Sequence, residues 1–131
     1  MNMYRRQRAQ RPRIKHYQWK LDERLNLTLD VNGAASGQLA PGGARERWVI
    51  TMVNVRTTNI PALSTEVPQL IMFRSSAVPG NELGGTFNAL IDASVDHYEL
   101  NMNEPIVFEI TEGDEDSIVH IHIEGIRHVW G

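Results

Sequence analysis

The chain alternates apolar and polar residues with a period of two in short segments separated by turn-forming residues. In the segment 25–31, LNLTLDV, every second residue is apolar and the residues between are polar. Successive side chains of a β-strand point to opposite faces, so this alternation predicts a strand with one buried face. No segment has the i, i+3, i+4, i+7 apolar spacing of a helix over a dozen residues. The pattern therefore restricts the chain to an all-β fold.

Further strands are predicted wherever an apolar segment lies between turn signals. Trp19 and Leu21 either begin the strand that contains 25–31 or belong to an earlier one. The segments 47–58 and 69–75 are apolar on both faces, which is typical of strands covered on both sides, here by a partner subunit. The other predicted strands are 87–91, 95–100, 106–111 and 118–123, the last continuing through 126–130 after a break at Gly125.

The segments 32–43 and 76–86 are rich in glycine and contain proline, so they are predicted loops. A helical alternative for 89–100 is disfavoured, because Asp and Ser occupy positions that an apolar stripe would need. Seven to eight short strands joined by turns predict an antiparallel β-sandwich of jelly-roll type. At 131 residues the chain has room for one such domain, which we place at 17–131.

The first seventeen residues contain six basic residues and no acidic residue, whereas positions 18–131 contain seven basic and sixteen acidic residues. The overall net charge of −3 therefore hides a +6 segment in front of a −9 body. Residues 1–16 have few apolar side chains and include Pro12, so we predict a flexible, extended or disordered arm. The residues assigned to docking by this arm are Arg5, Arg6, Arg8, Arg11, Arg13 and Lys15.

The basic arm has two candidate partners. Phosphate neutralisation suits nucleic acid, and Tyr4 and Tyr17 could add base stacking. The acidic body opposes this interpretation, because it would repel a phosphate backbone. We therefore favour docking of the arm on an acidic protein surface, such as that of a neighbouring subunit, over nucleic acid. The electrostatic part of either contact weakens as the salt concentration rises.

Composition and motifs argue against several classes of protein. The chain has no cysteine, which excludes disulfides and thiolate sites. No apolar segment approaches the roughly 18 residues of a membrane helix, so we expect no membrane insertion. A Gly-x-Ser-x-Gly elbow and a phosphate loop are both missing from the sequence. We therefore expect no enzymatic activity and no cofactor.

Histidines are concentrated near the C-terminus. His120 and His122 are two residues apart and therefore share one strand face, and His128 follows them. With Glu124 on the same face, His120 and His122 have the spacing of a cupin-like metal site, which is a third hypothesis. The simpler interpretation places this face in solvent or at a subunit interface, where histidines respond to pH. We assign no metal and treat His120, His122 and His128 as candidate interface residues.

Aromatic residues suggest an alternative function. Trp48 lies in a strongly apolar segment and is predicted to belong to the core, whereas Trp130 lies at the end of the last strand. Trp130 and Tyr98, together with loop residues, could form a platform on which a sugar ring stacks. The alternative function is therefore a carbohydrate-binding module that attaches to a cell-surface glycan.

The segments after residue 45 also carry a family resemblance. They are RWVITMVNVRTTN, PQLIMFRSS, LIDAS, YELNMNEPIVFEIT and the closing SIVHIHIEGIRHVWG. In this order, with a proline-containing loop and a glycine-rich loop between them, they resemble small β-sandwich virion proteins of tailed bacteriophages, mainly those of actinobacterial hosts. The resemblance covers residues 45–131 through loose patterns and leaves 1–44 uncovered.

The resemblance implies a structural, oligomeric role as a head-decoration or minor tail protein. Other capsid or tail proteins would be its partners, together with further copies of the same chain. The protein would be made in the host cytoplasm and reside in the virion. The resemblance transfers no catalytic residue.

Overall fold

A computed structural model describes residues 15–43, 45–86, 89 and 91–131, and for residues 86 and 91–97 it describes the backbone. Eight strands make up most of this part of the chain, with one short 3-10 turn at Pro79–Asn81. The strands are β1 (His16–Thr28), β2 (Ala35–Leu39), β3 (Glu46–Thr58), β4 (Gln69–Arg74), β5 (Glu82–Thr86), β6 (Ile91–Leu100), β7 (Ile106–Thr111) and β8 (Ile118–Trp130).

The strands form two antiparallel sheets of four. One sheet has the order β1-β8-β3-β6 and the other has the order β2-β7-β4-β5. Apart from the consecutive strands β4 and β5, every pairing joins strands that are not neighbours in sequence, which is the arrangement of an eight-stranded jelly roll. The prediction of an all-β antiparallel sandwich is confirmed.

Apolar side chains from both sheets meet in one core. In β8 the residues Val119, Ile121 and Ile123 are almost fully buried, while His120 and His122 between them lie on the opposite face. The largest fully buried side chains are Phe108, Leu21, Leu29, Ile50, Leu70, Met72, Leu100, Ile106, Ile110, Ile121, Ile123 and Val53.

A register shift in β3 changes the assignment of its two faces. The pairing of β3 with both of its neighbours is irregular between Ile50 and Met52. Trp48 and Ile50 point into the core before this bulge, and Val53 and Val55 do so after it. The extra residue reverses the phase of the alternation. A regular alternation would put the core residues before and after the bulge on opposite faces of β3. For this reason the sequence suggested a strand that is apolar on both faces.

The predicted loop 32–43 contains a strand, β2. Its Gly37 is a packing residue, because a Cβ at this position would lie 2.7 Å from a methyl carbon of Leu27. The predicted loop 76–86 likewise contains β5, where a Cβ at Gly84 would lie 2.8 Å from the hydroxyl oxygen of Tyr98. These glycines permit close approach of the two sheets, so they were wrongly interpreted as turn residues.

Other element boundaries also differ from the sequence prediction. β1 begins at His16, so that residue belongs to the sandwich, and β8 runs through Gly125 without a break. The helical alternative for 89–100 is wrong, because 91–100 is β6. Within the predicted strand 87–91, residues 87, 88 and 90 lie outside the described part of the chain. No helix among the described residues is long and apolar enough to cross a membrane.

The sandwich has two ends with different surfaces. At the first, which we call the arm end, β1 and β3 begin and β8 finishes, as shown by the register of His16 and Glu46 with residues 129–130. At the other, which we call the acidic end, Thr28 and Thr58 both pair with Ile118. The basic arm therefore precedes the first residue of β1 at the arm end.

Candidate interaction surface

The arm end is built by main-chain pairing of the first strand with the last. The Gly131 amide donates to the Lys15 carbonyl at 2.8 Å, and the Trp130 amide donates to the Arg45 carbonyl at 3.0 Å. The first bond holds the residue before β1 against the end of β8, and the second holds the residue before β3 against it. Lys15 is exposed, whereas Arg5, Arg6, Arg8, Arg11 and Arg13 lie outside the described residues.

An aromatic stack occupies the outer face of the first sheet at this end. The rings of His16 and Trp130 are stacked, with 4.8 Å between centroids and 6° between planes. His16 Nε2 and His128 Nδ1 are 2.9 Å apart, which is a hydrogen bond between two imidazoles. The first residue of β1 is thereby fixed to the last strand through side chains as well as through backbone.

His128 is the buried member of this cluster. Burial lowers the pKa of its imidazole, and the positive charges of Arg47 and His16 lower it further, while Glu99 acts in the opposite direction. A hydrogen bond between two imidazoles requires a hydrogen on one of the two ring nitrogens and a free lone pair on the other. A neutral His128 ring can therefore take part in the bond with His16. His128 is therefore buried where β8 lies between β1 and β3, and from there it positions Trp130.

The inner face of the first sheet presents two further aromatic rings at the same end. β1 has thirteen residues and β2, at the adjacent edge of the second sheet, has five, so residues 16–20 are exposed. Tyr17 and Trp19 are 44% and 55% exposed, and their rings lie nearly parallel with 5.8 Å between centroids. Exposed large aromatic side chains on a free sheet edge are typical of an interaction surface.

Arg127 connects these aromatic residues to the core. It pairs in register with Trp19 on one side and Trp48 on the other, and its guanidinium lies 5.9 Å from the Trp48 ring centroid. The same guanidinium forms ion pairs with Glu23 at 2.5 Å and with Glu46 at 2.8 Å. Trp48 is buried, as the sequence predicted. These two carboxylates therefore share one guanidinium within the fold.

A cleft of about 280 Å³ opens beside the aromatic stack. Trp130 and Met102 supply its apolar surface, and the Arg47 guanidinium lies 5.9 Å from the Trp130 ring centroid. Neither Arg45 nor Arg47 forms an ion pair within the described part of the chain. The full lining is Arg45, Glu46, Arg47, Asn101, Met102 and Trp130.

The structure places His120 and His122 on one outer face, but each has its own partner. His120 is hydrogen-bonded to Asn26 and to Thr58, both at 2.8 Å. His122 Nε2 lies 2.5 Å from the carboxylate of Asp22, and this hydrogen bond lowers the pKa of Asp22. The pairs form a ladder of polar contacts across β1, β8 and β3.

The cupin-like metal site is not assembled in this arrangement. His122 Nε2 lies 3.8 Å from a carboxylate oxygen of Glu124, while His120 is bound to other side chains. Among the described side chains, those of 15–43, 45–85, 89 and 98–131, no group of three histidine or acidic residues is arranged to hold a metal ion. His120 and His122 therefore make polar contacts across neighbouring strands, and Glu124 lies beside His122 within β8.

Tyr98 does not lie on the surface, contrary to the prediction of a sugar-stacking platform. It pairs in register with Ile50 and is 7% exposed, so it is part of the core. Its hydroxyl group points towards Gly84 of the second sheet. A core position removes Tyr98 from any sugar platform, whereas Trp130 does lie at the surface cleft.

The acidic end carries the opposite charge. The loops 29–34, 59–68 and 112–117 meet there, joined by the Leu29–Ser117 and Gly113–Gly33 backbone hydrogen bonds. None of these three loops contains a basic residue. They contain six acidic residues, namely Asp30, Glu66, Glu112, Asp114, Glu115 and Asp116.

Sequence reasoning did not identify three contributors to the arm end. His16 was assigned to the arm, and Arg45 and Arg47 had no assigned role. The paired positions of His16 and Trp130 follow from the pairing of the first and last strands, which the sequence does not specify. A visible signal was the cluster of basic and aromatic residues at the start of β3, RERW.

The geometry is the principal guide to function here. A scan of known protein-family models finds no matching family, and a search of curated proteins finds no relative.

Proposed function

We propose that this protein is a structural component of a tailed-phage virion, a head-decoration or minor tail protein. Its basic N-terminal arm docks on an acidic protein surface, and the jelly-roll body is displayed. The observation that carries this proposal is the separation of charge along one axis. The +6 arm leaves one end of the sandwich, and loops with six carboxylates and no basic residue form the other end.

Most of the charge of the arm cannot reach the acidic end of its own body. The thirteen residues of β1 span about 40 Å between the two ends at roughly 3.3 Å per residue. Arg13 is three residues before His16, so it reaches at most about 11 Å from the start of β1. Arg5 would need a fully extended arm to reach about 40 Å. The charge complementarity therefore favours contact between different molecules.

Contact between different copies would be head-to-tail. An arm that enters the acidic end of the next copy uses two different surfaces, which is a heterologous interface. Such an interface generates a ring if the rotation closes and an extended array if it does not. Both outcomes suit a virion protein, and the acidic surface of another capsid or tail protein could replace the neighbouring copy.

The free edge of β1 supports the same proposal. β1 is an edge strand, and its first five residues are exposed on both faces. Tyr17 and Trp19 lie in this stretch, directly after the arm. An edge that is neither covered nor shortened is available for pairing with another chain. Arm docking would bring a partner onto this edge.

Incorporation into particles tests the proposal. A tagged chain that lacks residues 1–14 should remain folded but be absent from purified virions, while the tagged full chain copurifies with them. The deletion stops before Lys15, whose carbonyl accepts the Gly131 hydrogen bond. A chain with all five arginines of the arm changed to Gln should behave like the deletion. Normal incorporation of either variant would show that the arm is not the anchor.

A further inference from the structure

We propose that the cleft at the arm end binds an acidic saccharide, through one sugar ring that carries a carboxylate or a phosphate. This site lies on the body of the protein and does not depend on the arm. It adds recognition of a surface glycan to the proposed assembly role.

The size of the cleft limits the ligand. Its volume of about 280 Å³ lies just below the roughly 300–1,000 Å³ of sites for drug-sized ligands. A single sugar ring suits this volume better than a larger cofactor. The further sugar units of a longer saccharide would extend from the open side of the cleft into solvent.

The charge of the lining selects an anion. Arg45 and Arg47 form no ion pair with the described residues. The third charged residue, Glu46, already forms an ion pair with Arg127 at 2.8 Å and accepts a hydrogen bond from the Gly42 amide. Two guanidinium groups therefore have no ion-pair partner among the described residues and lie beside one carboxylate that is paired with Arg127, so the cleft attracts an anion.

The Arg47 guanidinium lies next to the Trp130 ring. It is 5.9 Å from the ring centroid, within the range of a cation–π contact, and its buried Nε has no hydrogen-bond partner among the described residues. A guanidinium pairs with a carboxylate or a phosphate through two parallel hydrogen bonds. The fixed group next to an aromatic ring thus provides anion recognition and a stacking surface in one place.

The remaining lining residues suit a sugar ring. Met102 is 49% exposed and Trp130 lies beside it, so the apolar face of a pyranose has two side chains to contact. Asn101 is exposed and supplies an amide that can both donate to and accept from hydroxyl groups. A few polar groups on an apolar wall are the usual construction of a small-molecule site.

Calorimetric titration of the full chain tests the proposal, with glucuronic acid and glucose 6-phosphate as probes. We expect at least one of them to bind at least tenfold more tightly than both neutral glucose and inorganic phosphate. Equal binding of glucose would show that the arginines play no part. Equal binding of inorganic phosphate would show an anion site without sugar recognition. Tighter binding of a short thymidine oligonucleotide at the same residues would assign the cleft to nucleic acid instead.

Matched variants locate the site. Arg45→Gln and Arg47→Gln should each weaken binding of the acidic sugar at least tenfold, because each removes one uncompensated charge. Arg56→Gln removes an exposed arginine from the far part of the same strand and should leave binding unchanged. Arg45 is exposed, so its substitution tests the site even if Arg47→Gln unfolds the protein. Deletion of residues 1–14 should also leave sugar binding unchanged, and loss of binding there would place the site on the arm.

Discussion

Single residues determine how closely the two central strands of the first sheet, β8 and β3, approach each other. Gly125 of β8 lies opposite Ile50, next to the bulge of β3. A Cβ at Gly125 would lie 1.9 Å from the carbonyl oxygen of Val49, which is a backbone atom. The close approach of the two strands therefore requires glycine here, although the sequence suggested that this glycine interrupts the strand.

Substitution of Gly125 tests this packing. Gly125→Ala should lower the free energy of unfolding by about 1–3 kcal/mol or more, because backbone must move to admit the methyl group. Urea denaturation monitored by tryptophan fluorescence measures the change. Gly80→Ala is the matched control, since a Cβ at Gly80 meets no atom within 4 Å, and it should have little effect. Equal stability of the two variants would mean that β8 and β3 do not approach each other closely at Gly125.

A second prediction at this scale concerns His128. Because its pKa is lowered in the folded state, the unfolded chain takes up a proton at higher pH than the folded one. This contribution to stability is complete above the unfolded pKa of about 6.5 and is lost as the pH falls below it. One such group changes the unfolding free energy by at most about 1.4 kcal/mol per pH unit.

Thermal and urea unfolding between pH 7.5 and pH 5 measure the effect. The protein should lose stability over this interval, and His128→Gln should make the loss smaller. His122→Gln removes a histidine outside the buried cluster and serves as the control. An unchanged pH dependence in His128→Gln would contradict the assignment of a buried neutral imidazole.

At the scale of elements, the sequence predicts strands where burial alternates strongly and fails where glycine is chosen for packing. β3, β7 and β8 are visible as apolar segments, because their side chains fill the core. β2 and β5 are not visible in the sequence in this way. Their Gly37 and Gly84 have no side chain and leave space for a side chain of the other sheet. The bulge in β3 is also invisible, since a single extra residue leaves the composition unchanged.

The candidate site shows the same division. The shared face of His120 and His122 follows from their spacing, and the structure places both there. The contact of His16 with Trp130 depends on the pairing of two strands that lie at opposite ends of the chain. Local patterns contain no information on that pairing, so they predict neither the burial of Tyr98 nor the position of Arg47 beside Trp130.

Truncation distinguishes the arm from β1 as an element. A chain that lacks residues 1–14 should unfold at the same urea concentration as the full chain. A chain that lacks residues 1–20 loses five residues of pairing with β8 and the His16–His128 bond. Each lost hydrogen bond contributes about 0.5–1.5 kcal/mol, so we expect the second chain to be less stable by at least about 2 kcal/mol. Equal stability of both truncated chains would show that the beginning of β1 is not part of the fold.

At the scale of the whole molecule, charge is distributed along the long axis of the strands. The arm end carries the basic arm and exposed aromatic rings, and the acidic end carries three loops without a basic residue. The objection that an acidic body would repel a polyanion is therefore weaker at the arm end than the net charge suggests. The same separation gives each copy one basic and one acidic surface, which is the basis of the proposed head-to-tail contact.

The mass of the protein in solution, measured by light scattering, tests the central claim most directly. The full chain should form assemblies larger than its 14.9 kDa monomer at low salt, and these should dissociate as salt is added. The chain without residues 1–14 should be monomeric at every salt concentration. Substitution of Asp114, Glu115 and Asp116 by Asn and Gln should weaken assembly in the same way. A full chain that stays monomeric at low salt would contradict head-to-tail contact between copies, and a truncated chain that assembles as well as the full chain would contradict docking by the arm.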